Sequence, residues 1–186
     1  MQIRKAIVDD IGRLLELLSQ VLEVHAKLRP DLFVSGTTKY SKEDLEVMID
    51  DENNPIYVAL IDDCVVGYAM CQIRIPTSNM YPNKIFHLDD LCVDEKYRHQ
   101  RIGEALYNYV VNEAKKNNCY EITLNVWPSN EAALKFYEKM GMKTRSIIME
   151  DIIKKDWYIS LFCFSLYIWN AYHNQLILLL LIWLIL

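Results

Sequence analysis

Tyr97 to Leu106 reads YRHQRIGEAL, which gathers Arg98, His99 and Arg101 beside Gly103. The chain as a whole carries a net charge of −5, so a cationic turn here asks for an anion. An alternating apolar segment precedes the turn, and an amphipathic helical pattern follows it. A helix start offers unpaired N–H groups and about half a positive charge. Arginine adds forked donors that match phosphate oxygens, and glycine lets a ligand approach the main chain closely. A diphosphate is the anion that suits this set, with solvated surface arginines as the plain alternative. Two common phosphate motifs are missing. No GxxxxGK[ST] run occurs, and glycines at 12, 36, 67, 103 and 141 cannot form GxGxxG. A P-loop triphosphatase and a Rossmann dinucleotide enzyme are thereby excluded.

The elements around the turn must hold it in place. At 186 residues the chain suits one packed domain. Residues 2–8 read as a strand, and Ile11 to Leu28 has helical apolar spacing that ends before Pro30. RPDLFVSGTTKY is a loop. Ser41 with Asp44 caps a second helix to about Ile49. IYVALI and VVGYAMCQIRI are strands joined by Asp62-Asp63, a hairpin signature. IFHLDDLCV is the next strand, followed by a long helix from Ile102, then the strand YEITLNVW. Asn130 to Met140 is a last helix stopped by Gly141, and TRSIIMEDII is a final strand. This order suits a mixed sheet, antiparallel early, with one parallel strand–helix–strand crossover at 86–126.

Composition narrows the partners. An acidic balance disfavours nucleic acid and leaves cationic substrates open. Five cysteines without a CxxC pair point to reduced intracellular thiols, with no disulfide framework and no metal site. MQIRKAIVDD carries no signal-peptide pattern, so a cytoplasmic location is expected. Trp157 to Leu186 contains no Asp, Glu, Lys or Arg, but NAYHNQ interrupts its apolar run. Each apolar piece is shorter than the roughly 20 residues a spanning helix needs. Membrane contact through 157–186, cover for a sheet edge or partner surface, and a non-native extension all remain open for this tail.

LCVDEKYRHQRIGEAL followed by NEAALKFYEKMGM resembles the GCN5-related N-acetyltransferase (GNAT) family, whose pattern is a strand, RxxGxG/A, a helix, then NxxAxxFYxxxGF. The resemblance implies an α/β fold (α+β mixed): a mixed, mostly antiparallel sheet with a parallel βαβ crossover forming a V-shaped cofactor cleft. It implies an N-acetyltransferase domain over 1–153, with 154–186 an uncharged hydrophobic tail of open role. The implied activity is acetyl transfer from acetyl-CoA, as cosubstrate, to a primary amine on a small molecule or peptide. Related readings are an acyl-CoA sensor without turnover and a tail-anchored membrane interaction protein. Homodimers are common in the family.

Carried over by position, the main chain of Leu91, Cys92 and Val93 would pair with the pantetheine arm. The amides of Arg98, His99, Gln100, Arg101, Ile102, Gly103, Glu104 and Ala105 would hold the diphosphate. Asn130 would help hold the arm, and Tyr137 would stand near the thioester sulfur as the acid. One departure stands out: Arg101 takes the place of the family's first glycine, where a side chain would crowd the loop if positive φ is needed there, or would add a cation beside the diphosphate.

The chemistry also wants a base, because only a neutral amine attacks a thioester. Keeping a lysine-like amine of pKa about 10.4 neutral at pH 7 costs about 4–5 kcal/mol. His87, and Asp89 or Asp90, are the candidates, with no side-chain base at all as the other alternative. On the predicted strand, His87, Asp89 and Leu91 share one face and Leu88, Asp90 and Cys92 the other. His25, in HAKLRPDLF, falls in the region that usually lines the family's acceptor pocket.

Overall fold

A computed structural model describes residues 1–77 and 79–153 of the chain. Five strands form one sheet in the order β1 (Gln2–Lys5), β2 (Ile56–Ile61), β3 (Cys64–Arg74), β4 (Ile85–Val93), β5 (Glu121–Leu124). The first four pair antiparallel, and β4 pairs parallel with β5. The mixed α/β sheet with its single parallel crossover is therefore as expected.

Local chemistry accounts for the elements. Asp62 and Asp63 both adopt positive φ (49° and 59°), which matches the twist of a two-residue hairpin between β2 and β3. α1 (Ile11–Leu28) buries Leu14, Leu17 and Leu18, one face at helical spacing. α2 (Lys42–Asp50) starts at Ser41. Its hydroxyl accepts from the Asp44 N–H at 3.1 Å, while Asp44 accepts from the Ser41 N–H at 2.8 Å. These two bonds satisfy donors that a bare helix start leaves open.

The core has two layers, one on each face of the sheet. Leu14, Leu17, Leu18 and Leu45 of α1 and α2 pack on Val58, Tyr68 and Met70. α3 (Ile102–Lys116) packs Leu106 and Val110 against Ala59, Cys71, Phe86 and Leu88 on the opposite face. Phe136 and Tyr137 of α4 (Glu131–Lys139) lie against that second layer. Gly67 lets the layers close. A Cβ there would meet the Cys92 carbonyl oxygen at 2.7 Å, and main chain cannot yield as a side chain does.

Two expectations change. β5 pairs only over Glu121–Leu124, so NVW leaves the sheet instead of extending the strand. TRSIIMEDII, at 144–153, forms no strand with any described residue; Ile147, Ile148 and Met149 are exposed. Met1–Met142 form one compact unit, and 143–153 lie outside it. Among the described residues no helix is long and apolar enough to cross a membrane. The tail from 154, with its membrane-contact reading, lies outside them.

Arg13 fastens α1 to the chain after β4. Its Nε donates to the Val65 carbonyl at 2.9 Å, and its guanidinium pairs with the nearly buried Asp94. Burial alone would raise the Asp94 carboxyl, but the Lys96 N–H and Arg13 outweigh it and hold the group below its usual range. A depressed folded pKa stabilises above the unfolded value and is lost as pH falls through the folded one. Asp94→Asn is therefore expected to cost about 2 kcal/mol at pH 7 in urea denaturation. The gap to the wild type should close below about pH 4.

Candidate functional site

β4 and β5 pair from Ile85↔Glu121 to Leu88↔Leu124 and then part. β4 continues to Val93, and among the described residues nothing is in register beside it on that edge. Against β3, the pairing runs Met70↔Asp90 and then Cys71↔Leu88, so Asp89 is an extra residue, a β-bulge. A bulge bends its strand and resets the alternation of faces. Asp90 and Cys92 therefore stand across from Met70 and Tyr68, on the side toward α1, while Leu88, Leu91 and Val93 face α3. The alternation expected for an unbroken strand is corrected here: Asp90 joins the face of His87.

A cavity of about 510 Å³ fills the gap beside β4. Asp89, Asp90, Leu91, Cys92 and Val93 form one wall, the loop before α3 closes one end, and Asn130, Phe136 and Tyr137 stand opposite. Its size is in the range of small-molecule pockets.

The cationic loop is strained in the way its sequence foreshadows. His99 (φ 63°) and Arg101 (φ 61°) both adopt the left-handed region. Arg101 is the N-cap of α3 and supplies no side-chain cap. Ala105 N–H bonds the Arg101 carbonyl at 3.0 Å, so the N–H groups of Ile102, Gly103 and Glu104 precede the first intrahelical bond. A left-handed residue leading into helical ones is the backbone shape of an anion nest. Arg98 is pinned over the loop by its Nε bond to the Val93 carbonyl at 3.2 Å. Glu104 is drawn into an ion pair with Lys139 of α4. Arg98, His99, Arg101, Ile102, Gly103 and Glu104 line the cavity, whereas Gln100 and Ala105 do not.

At the other end stand carboxylates and phenols. Asp89 accepts from Lys39 Nζ at 2.6 Å and from the Tyr40 hydroxyl at 3.3 Å. Asp90 accepts from the Tyr68 hydroxyl at 2.7 Å. Burial pushes the Asp90 carboxyl above its ordinary range, against the Tyr68 bond. Tyr137 packs on Phe136 and Tyr107, with ring centroids 5.1 and 6.3 Å away. Burial, with the Asp90 charge nearby, raises its phenol pKa, so it holds its proton at neutral pH. Burial lifts the Cys92 thiol to about 12, which leaves it unreactive.

His87 is placed differently. It is buried beside Thr123, with Nδ1 2.9 Å from Thr123 Oγ1, where β5 still covers β4, and it does not line the cavity. Burial and the Arg74 charge lower its pKa. Asn130 lines the cavity while its side-chain oxygen caps α4 through the Ala133 N–H at 3.2 Å.

The sequence reading missed Lys39, Tyr68, Phe33 and Trp127. His25 stacks on Phe33 (5.1 Å), Phe33 meets the Trp127 edge (5.9 Å), and Arg29 lies 5.0 Å over the Trp127 ring. This aromatic run joins α1 to the segment beyond β5, a link no local periodicity reveals. Among the described residues no group of three or more His, Cys, Asp or Glu could hold a metal ion.

The model of the acetyltransferase (GNAT) family matches residues 21–142, the stretch that contains the whole cavity wall. The chain belongs to that family. An uncharacterized N-acetyltransferase of Methanocaldococcus jannaschii is 23% identical over 78% of this chain and 62% of its own length, so the chain spans less than two thirds of that relative. A thialysine N-epsilon-acetyltransferase of Bos taurus is 28% identical over 76% of this chain and 83% of its own. The solved structure of a mutant of the BH1408 protein from Bacillus halodurans superposes with a TM-score of 0.79. It is 27% identical and covers 83% of this chain and 100% of that one.

Within this GNAT chain, Arg101 sets two effects against each other. A side chain in the left-handed region costs about 1 kcal/mol, while its charge favours an anion on the loop. Arg101→Gly is expected to raise stability by about 1 kcal/mol in urea denaturation. It should also weaken coenzyme A binding by roughly fivefold, read by calorimetry.

Proposed function

We propose that the chain is an acetyl-CoA-dependent N-acetyltransferase that transfers acetyl to a primary amine by direct attack on the thioester. The observation that carries this reading is a single cleft, opened where β4 leaves β5, that has a cationic nest at one end and carboxylates with Tyr137 at the other. The diphosphate of coenzyme A suits the nest. The main chain of Leu91, Cys92 and Val93, on the uncovered edge of β4, offers N–H and C=O groups to the amides of the pantetheine arm. Asn130 borders the same path.

The acyl group would then lie near Tyr137 and the two aspartates. The amine nitrogen forms a bond to the carbonyl carbon, and the carbonyl electron pair moves to oxygen. As the C–S bond breaks, its pair goes to sulfur, which Tyr137 protonates. An amine proton leaves toward a carboxylate at the acceptor end. Asp89 or Asp90 suits that task better than His87, which β5 covers. Both also attract a cationic acceptor. A lysine-like amine, on a small molecule or a peptide, agrees with the acidic wall and with the name of the Bos taurus relative.

The test is thiol release from acetyl-CoA across a panel of primary amines. At least one amine is expected to release thiol in step with its acetylation. Binding of coenzyme A without release from any amine would leave a sensor module instead. Tyr137→Phe is expected to lower turnover about 100-fold while the coenzyme A dissociation constant stays within about twofold of the wild type. Unchanged turnover would remove Tyr137 as the acid.

A further inference from the structure

We propose that Tyr68 of β3 is a positioning residue that makes Asp90, and not Asp89, the proton acceptor for the amine. The inference rests on the acetyltransferase reading above and narrows it. Two neighbouring carboxylates border the acceptor end, and the bulge at Asp89 gives them different company. Asp89 accepts from Lys39 at 2.6 Å and from Tyr40, both on Oδ2, so protonating Asp89 would give up the charge that Lys39 pairs with. Asp90, next to it, has no cation bonded to it among the described contacts. Its one bond comes from the Tyr68 hydroxyl, on a ring that is completely buried.

That arrangement does two things. A buried phenol must find an acceptor, so Tyr68 fixes the Asp90 carboxylate through Oδ2 and leaves Oδ1 to take a proton. Burial keeps Asp90 more proton-hungry than an ordinary aspartate, which suits a base that works near neutral pH. The charged and titratable groups facing Asp90 are Tyr68 on β3, Cys92 and Asp89 on β4, Lys39 before α2, His25 on α1 and Tyr137 on α4. In the reaction, an amine N–H proton passes to Asp90 Oδ1 as the N–C bond forms. Tyr137 gives its proton to the departing sulfur and is reprotonated from solvent. Asp90 releases its proton after the amide leaves, so the sum is neutral amine plus thioester giving amide and thiol; an acceptor that arrives as ammonium first loses one proton to solvent.

The experiment is the pH dependence of kcat at saturating acetyl-CoA and amine, for the wild type, Tyr68→Phe, Asp90→Asn and Asp89→Asn. It is run with two acceptors of different basicity, so that a limb common to both belongs to the protein. Tyr68→Phe removes a bond that favours the ionised carboxylate, so the acid limb should move up by roughly 1 pH unit. The KM for acetyl-CoA should not change. Asp90→Asn should lose about 100-fold or more at every pH, and Asp89→Asn much less. A uniform loss in Tyr68→Phe with an unmoved limb would reduce Tyr68 to a packing residue and overturn the proposal. So would an Asp89→Asn loss equal to or above that of Asp90→Asn, a comparison that decides the matter even where Tyr68→Phe fails to fold. A wild-type chain that binds coenzyme A yet acetylates no amine overturns this inference and the acetyltransferase reading together. An active wild type with either adverse pattern overturns the inference alone.

Discussion

The parting of β4 from β5 after Leu88↔Leu124 is the constraint on which the remaining features depend. Parallel strands normally stay paired, because an uncovered edge leaves main-chain donors and acceptors without partners. Here the bulge at Asp89 bends β4, and the chain beyond Leu124 leaves the sheet. The exposed edge becomes a wall of the cavity. The same bulge sorts the side chains: Leu91 and Val93 continue the α3 layer while Asp90 and Cys92 turn toward α1. One extra residue thus separates a packing strand from a site wall.

Charge is distributed along the cleft in a matching way. The chain is acidic overall, yet the loop from Arg98 to Arg101 carries its cations at the start of α3, where the helix dipole reinforces them. Glu104, the one acid in the first turn of that helix, is occupied by Lys139. The other end has the opposite sign, with Asp89 and Asp90 side by side and Lys39 hydrogen-bonded to the first. A ligand with a phosphate head and a reactive tail has one favourable direction in such a field. The aromatic run from His25 through Phe33 to Trp127 ties the helix side to the strand side near the same end.

Much of this was legible from the residues. The helices at 11–28 and 102–116, the Asp62-Asp63 hairpin, the Ser41 cap and the cationic loop before α3 all rest on short-range chemistry, and their spacing carries them. The cost of Arg101 was legible too, since a missing glycine in a turn announces a left-handed side chain. What the sequence hid depends on pairing partners. A bulge is a relation between two strands, so nothing in IFHLDDLCV reveals that Asp89 is the extra residue. The burial of His87 beside Thr123 likewise depends on β5, a strand that IFHLDDLCV does not reveal. Nothing in VVGYAMCQIRI sets Tyr68 apart from its apolar neighbours, because its role depends on Asp90, a residue of another strand. TRSIIMEDII alternates like a strand but has no ladder to join among the described residues.

Calorimetric titration of the chain with coenzyme A, set beside the same titration with pantetheine, tests the central claim most directly. The two ligands share the arm that would lie along β4, and only the first carries the diphosphate meant for the nest. Saturable one-to-one heat with coenzyme A, and binding of pantetheine weaker by roughly 100-fold, is the result this account predicts. No heat with coenzyme A, or equal affinity for the two ligands, would contradict it.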